Sequence, residues 1–233
     1  LEWFLPALCG LSDDRILYQV LLPRAKAVWS FAHALGWALR PYAAKIEAFR
    51  STLAAPIVLE WDRSRALGDA LVAFARTGVA RAPMPACIPG KPTVQCVAVH
   101  YDRAHHLNSA SRPVIVPCTC HAKHAPADRF EVDLLVKTED VRNDAHAMAL
   151  VRCVAEMSSL PAITYMVQPI DANAGLIEIV PGSNTLYDVQ QAGSLQNFVG
   201  ARNVDLTVHR LRTRMLESYA LYSVLAYVLG LGD

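Results

Sequence analysis

Four prolines within ten residues, Pro83, Pro85, Pro89 and Pro92, divide this chain into two kinds of pattern. Before them apolar residues recur every three or four positions: Ile16, Val20 and Leu21, then Ala27, Val28, Phe31, Leu35 and Leu39, then Leu67, Leu71, Val72, Phe74 and Ala75. That spacing predicts amphipathic helices, bounded by Pro23 and Pro41 and stopped by Gly78. After the prolines the period drops to two, with Val94, Cys96, Ala98 and His100 alternating with Gln95, Val97 and Val99. Alternation of this kind predicts a half-buried strand. A change of period at a proline-rich loop is expected to mark the point where helices give way to a sheet.

Further strands are predicted at Val114–Cys120, Phe130–Val136, Thr164–Gln168 and Leu176–Val180, which makes five in all. One helix is inserted near Arg142–Met157, with Ala147, Leu150, Val151 and Val154 on its apolar face. The rest reads as helix, and the apolar stretch Ser218–Leu231 is too short to span a bilayer and reads as a buried core helix. The fold class is therefore α+β.

Of the 233 residues, 53 % are apolar, enough for a substantial core. Lysine and arginine number 22 against 21 acidic residues, so net charge offers no basis for binding nucleic acid or an anionic membrane. Six cysteines with no secretory signal read as reduced cytosolic thiols. The first residue is Leu1, within the apolar pattern of Trp3, Phe4, Leu5 and Leu8, and on that basis the sequence is expected to be a piece of something longer.

Val136-Lys137-Thr138-Glu139-Asp140-Val141-Arg142-Asn143-Asp144 places a lysine at the end of an apolar strand and a polar turn before a helix. Gly175-Leu176-Ile177-Glu178-Ile179-Val180-Pro181 closes a later strand. These segments resemble the Lys-(Thr/Val)-Gly-Asp-Asp-Leu-Arg-Gln-Asp and Gly-(Leu/Met)-Ile-Glu-hydrophobic-Val blocks of the phosphatidylinositol 3-/4-kinase family. Leu107-Asn108-Ser109 and Val136-Lys137-Thr138 resemble the type III 4-kinase beta branch, while the Leu-Ile-Glu-Ile-Val hinge is more similar to 3-kinases. Phe31-Ala32-His33-Ala34-Leu35-Gly36-Trp37-Ala38-Leu39-Arg40 resembles the helix that ends the family's helical accessory domain, and Trp3–Leu8 the helix before it.

The resemblance implies a bilobal protein-kinase-like fold: the end of an all-α accessory domain over 1–55, a five-stranded antiparallel N-lobe with one helix over 56–180, and the start of a helical C-lobe over 181–233. It implies transfer of the ATP γ-phosphoryl group to an inositol-ring hydroxyl, with Mg²⁺ as the metal, phosphatidylinositol in a membrane surface as substrate, and regulatory protein subunits as partners. The implied place is the cytoplasm, peripheral on intracellular membranes. Lys137 would contact the phosphates, and Asp144 would line the inner pocket beside the adenine and help order that lysine. Ser109 and Ser111 would offer donors to phosphate oxygens. Tyr165 would line the inner pocket, Ile177 and Ile179 would wall the adenine, and the Glu178 carbonyl and Val180 N–H would bind it. Ser183 or Thr185 would cap the helix that follows. In the family, Tyr227–Asp233 runs into the catalytic Asp-Arg-His-x-x-Asn, so the catalytic loop and the Asp-Phe-Gly carboxylate that holds magnesium would come after residue 233.

Other readings of the same residues stand beside this one. Lys137 also fits a lysine whose stem is buried at a strand end, and Asp144 an acid favoured by a helix N-terminus. The family's glycine after the lysine is missing and the turn is one residue shorter, which favours a non-catalytic kinase-like scaffold. A 3-kinase or a related protein kinase is the nearer alternative. Cys118-x-Cys120-His121-x-x-His124 has zinc-ligand residue types, but two cysteines on one strand face make an awkward knuckle; small buried thiols and a solvated His/Lys turn fit better. His209, Arg210, Arg212 and Arg214 read as a solvated helix face.

Overall fold

The computed structural model describes residues 5–109, 111–159, 162–191, 193–203 and 207–230. The fold is α+β. It divides into two compact units, one of the described residues up to Met148 with Tyr165–Ile179, the other of Ala149–Thr164 with the described residues from Val180 on. Trp3, Phe4 and Asp233, named above, lie outside the described residues.

The first unit opens with helices α1 (Leu5–Gly10), α2 (Leu22–Ala27, preceded by a π-helical turn), α3 (Trp29–Leu39), α4 (Ala43–Thr52) and α5 (Ala55–Thr77). Helix α5 begins with a proline in its first turn, where the missing N–H costs nothing. It ends at Gly78, whose φ of 73° provides the left-handed cap while its N–H donates to the Phe74 carbonyl at 2.7 Å. Helix α3 crosses it closely: a Cβ at Gly36 would lie 2.4 Å from the Trp61 indole nitrogen. Trp61 is fully buried, edge-on to both Trp37 and Phe49. Burying a large apolar side chain in this way contributes roughly 1.5–3 kcal/mol. Within the same contact the His33 Nε2 and Ser64 Oγ are hydrogen-bonded at 3.0 Å, both buried. Burial, with Lys123 adding to it, pushes the His33 pKa down to about 3, so the ring is neutral.

Among the described residues the sheet is antiparallel and has seven strands, two more than the five expected from sequence. They are β1 (Ala86–Ile88), β2 (Lys91–Val99), β3 (His105–His106), β4 (Val114–Ala122), β5 (Ala125–Lys137), β6 (Val167–Asp171) and β7 (Ala174–Glu178). Their order is β1-β2-β4-β5-β7-β6, with β3 pairing β4 off that path. The proline-rich segment is therefore not a plain loop. Pro89-Gly90 turns β1 back onto β2, Gly90 taking φ 78°. The Pro92 carbonyl accepts from the Trp29 indole N–H at 3.3 Å. One apolar core runs from Leu5 through α3 and α5 into Val116, Leu134 and Leu176 of the sheet.

Strand β5 pairs with β4 at Ala125 and over Arg129–Val136 on one side, but β7 covers only Leu134–Lys137 on the other. Residues 126–131 of β5 are exposed. The turn after β4 is solvated only in part: His124 is exposed, but Lys123 pairs with Glu60 and lies 4.5 Å from the Trp29 ring centroid, and His121 is buried. The Lys123 partners come from helices far away in sequence, which no local pattern signals, while the His121 ring meets the neighbouring Ala122 carbonyl at 2.9 Å.

Helix α6 (Arg142–Ser158) spans the boundary between the units. Val151 and Ala155 are its buried residues, whereas Leu150, expected on that face, is exposed. The second unit adds α7 (Leu186–Gln191), α8 (Leu195–Arg202) and α9 (Val208–Leu229). Ser194 and Thr207 cap α8 and α9 through their side-chain oxygens. Thr185 and Asp188 exchange hydrogen bonds at the start of α7, as expected of Thr185. Helix α9 is not a buried core helix: Leu225 is 4 % exposed, but Tyr219 is 75 % and Tyr227 90 % exposed. No helix among the described residues is long and apolar enough to cross a membrane.

Candidate functional site around Lys137

Strand β5 ends at Lys137, opposite Gly175 of β7, while Val136 pairs with Val114 of β4. This register brings three features to one end of the sheet: Lys137, the β6–β7 hairpin and the 107–113 loop between β3 and β4. The Lys137 stem is largely covered and its side chain 25 % exposed. Its Nζ lies 3.0 Å from Glu139 Oε1 and 3.6 Å from Asp144 Oδ2. Burial alone would lower the lysine's pKa, but the Glu139 and Asp144 carboxylates outweigh it and hold the ammonium above its usual value.

The turn between β5 and α6 sets this geometry. Asp140 accepts from the Arg142 backbone N–H at 2.9 Å and from the Arg142 guanidinium at 2.6–3.0 Å. Those bonds hold its carboxyl down to about 2. Val141, fully buried, drops onto the sheet against Gly175, where a Cβ would stand only 2.0 Å from the valine Cγ2. The close approach at Gly175 lets the start of α6 settle beside Lys137, with Asp144 in its first turn.

The other expected residues fall in two further places. Ser109 and Ser111 sit in the exposed loop after β3, where the Ser109 carbonyl accepts from the Arg112 N–H at 3.1 Å. Arg112 holds φ 44°, a strained value for a residue with a side chain. Tyr165, Ile177, Glu178 and Ile179 lie toward the opposite end of β7, since Ile177 pairs with Leu135 and Glu178 with Leu134. All four are half-buried. The Glu178 carboxylate is committed to two partners: it pairs with Lys91 and accepts from the Met166 N–H at 3.2 Å. The Ile179 N–H donates to the Asp133 carbonyl at 3.0 Å, which carries the β5 pairing one residue past β7. Val180 belongs to the second unit.

Sequence reasoning missed Glu139 as the carboxylate nearest Lys137, Val141 with Gly175 as the positioning contact, and Lys91 as the partner of Glu178. Only Glu139 had a local signal, two residues from the lysine. In the second unit a cavity of about 460 Å³ lies against Arg152, Glu156, Ser159 and Thr164, none of them expected. Arg152 Nε donates there to Thr164 Oγ1 at 3.3 Å. Among the described residues no group of three histidine, cysteine or acidic side chains is arranged to hold a metal ion. No family model matches the chain, and no curated protein matches it.

Proposed function

We propose that the chain is the nucleotide-holding part of an ATP-dependent phosphatidylinositol kinase, by preference a 1-phosphatidylinositol 4-kinase, with a bilobal kinase-like fold. The observation that carries this reading is Lys137 at a strand end, in reach of an acid on the helix that follows. Strand order supports it. Numbered by themselves, the five longer strands β2, β4, β5, β6 and β7 run 1-2-3-5-4, with α6 inserted between the third and fourth. The lysine ends the third strand, and the hinge segment follows the fifth.

In this reading ATP supplies the phosphoryl group that passes to an inositol-ring hydroxyl. Lys137 holds its phosphates, because a loose phosphoryl-transfer transition state is helped chiefly by fixed positive charge. Asp144 orients Lys137. Ser109 and Ser111 stand at the same end of the sheet as the lysine and offer donors to phosphate oxygens. Tyr165, Ile177 and Ile179 supply apolar surface to the adenine, with the Glu178 carbonyl and Val180 N–H as its polar contacts. The described residues offer no fitting site for Mg²⁺, so no step is assigned to it. The accessory helices of 1–55, the cytoplasmic setting on intracellular membranes and the regulatory subunits belong to the same proposal.

A second reading, a non-catalytic kinase-like scaffold, is favoured by Glu139. It stands closer to the ammonium than Asp144 does and competes with a phosphate for it. Isothermal titration of the chain with ATP separates the two. The kinase reading expects binding that weakens about tenfold or more in Lys137→Ala, the loss of one charge-assisted contact, and tightens in Glu139→Gln. No binding by the wild-type chain, or equal affinity in Lys137→Ala, would sink it in favour of the scaffold. Phosphorylation of phosphatidylinositol vesicles by the full-length protein, with the product's ring position determined, then tests the 4-kinase assignment against a 3-kinase.

A further inference from the structure

The cavity in the second unit shares no residue with the Lys137 site and gathers polar groups that the fold leaves unpaired. About 460 Å³ in volume, it is lined by Arg152, Ala155 and Glu156 of α6, by Ser159 just past that helix, and by Ala162 and Thr164 ahead of β6. Arg152 and Glu156 stand four residues apart, the spacing at which opposite charges on a helix ordinarily meet. On α5, Arg65 and Asp69 have the same order and spacing, and they do pair, at 3.5 Å. Arg152 does not pair with Glu156. Its Nε donates instead to Thr164 Oγ1 at 3.3 Å, 12 residues along the chain. Among the described residues the two Arg152 Nη groups, the Glu156 carboxylate and the Ser159 hydroxyl have no hydrogen-bond or ion-pair partner. The cavity therefore presents a cation and an anion side by side without letting them neutralise each other.

We propose that this cavity binds a free α-amino acid, with the ligand carboxylate on Arg152 and its ammonium on Glu156. The Arg152 Nη groups suit the two carboxylate oxygens, in the forked geometry that a guanidinium favours. Thr164, accepting from Nε, keeps its hydroxyl proton for the same carboxylate. Glu156 lies in the last turn of α6, where the helix carbonyls add to its attraction for a cation. The Ser159 hydroxyl is a further acceptor for the ammonium. Side chains four apart on a helix rise from Cβ atoms about 5–6 Å apart. A ligand with both charges on one carbon bridges that spacing through a hydrogen bond at each end. A peptide, with its charges at opposite ends, does not. The pairing also selects against simple ions, since Glu156 repels a phosphate and Arg152 repels an amine. Ala155, buried, and Ala162, half-buried, add an apolar wall that suits an aliphatic side chain such as that of valine. Arg152, Glu156 and Ser159 are exposed, so water competes for them and the expected Kd is only about 1 mM.

The test titrates L-valine into the isotope-labelled chain and follows its backbone amides by NMR. The expected result is saturable shifts at Ser159, Ala162 and Thr164, with binding weakened about tenfold or more in Arg152→Ala and in Glu156→Gln. Both side chains are exposed, and an otherwise unchanged spectrum shows that each variant is folded. N-acetyl-L-valine lacks the ammonium and L-valinamide lacks the carboxylate, and each is expected to bind about tenfold or more weakly than L-valine. The proposal is overturned if no shift saturates by about 20 mM L-valine, or if either variant binds it as the wild type does. Equal binding of N-acetyl-L-valine would leave an anion site only, and equal binding of L-valinamide a cation site only. Either result overturns it as well.

Discussion

Replacing Gly175 by alanine tests how the Lys137 site is positioned. The added methyl meets Val141 Cγ2 at 2.0 Å and the Gln168 carbonyl oxygen at 3.0 Å, against an ordinary carbon–carbon contact of about 3.5–4.0 Å. Gly175 has no left-handed φ, so its demand is for space alone. Val141 has to retreat by more than an ångström, and overpacking of this kind costs about 1–3 kcal/mol. For a unit of this size that lowers the melting midpoint by roughly 2–4 °C per kcal/mol. Trp29, Trp37 and Trp61 all lie in the first unit, so tryptophan fluorescence in a urea titration reads its stability directly. Val141→Ala alone should destabilise by about 1–3 kcal/mol through loss of buried apolar volume. The double variant should recover part of the first loss, because the methyl then has room. A Gly175→Ala cost under about 0.5 kcal/mol, or strictly additive effects in the double variant, would refute the claim that this contact seats helix α6.

Two further perturbations follow from buried polar groups. His33 is neutral in the fold and has a pKa near 3, while in the unfolded chain it takes protons near the usual 6.5. Its contribution is complete above pH 6.5 and is lost progressively as pH falls toward 3, at about 1.4 kcal/mol per unit. Urea midpoints should therefore drop between pH 7 and 5 in the wild type and drop less in His33→Gln; equal slopes would count against it. Glu178→Leu removes the partner of Lys91 and the acceptor of the Met166 N–H together. It should cost about 1–3 kcal/mol by the same fluorescence assay, and Lys91→Met in the same chain should recover part of that.

What could be read from the sequence was what local pattern carries. Helix α5 announced itself by its apolar period and by Gly78, and the structure ends it there with the left-handed cap that glycine favours. Cys118 and Cys120 were expected to be small buried thiols on one strand face, and they are. Strand β1 escaped notice because three residues among prolines are too few to show a period. Lys123 was misread because Glu60, its partner, is 63 residues away. Helix α9 was misread for a different reason: an apolar run reports what a segment is made of, not what lies against it. At the candidate site Lys137 and Asp144 were named from sequence, and their side chains stand 3.6 Å apart. The Val141–Gly175 approach was invisible, since nothing in either residue's neighbourhood names the other.

The one-sided pairing of β5 bears on how this chain behaves in a crowd. Backbone groups along residues 126–131 face outward where no neighbouring strand is found among the described residues. Such a margin invites a second molecule to dock strand to strand and begin a fibre. The chain places Pro126 there, which has no N–H to offer, and follows it with Asp128, Arg129 and Glu131, whose charges an incoming ladder would have to strip of water. A proline and charged residues at this margin count against strand-to-strand self-association there.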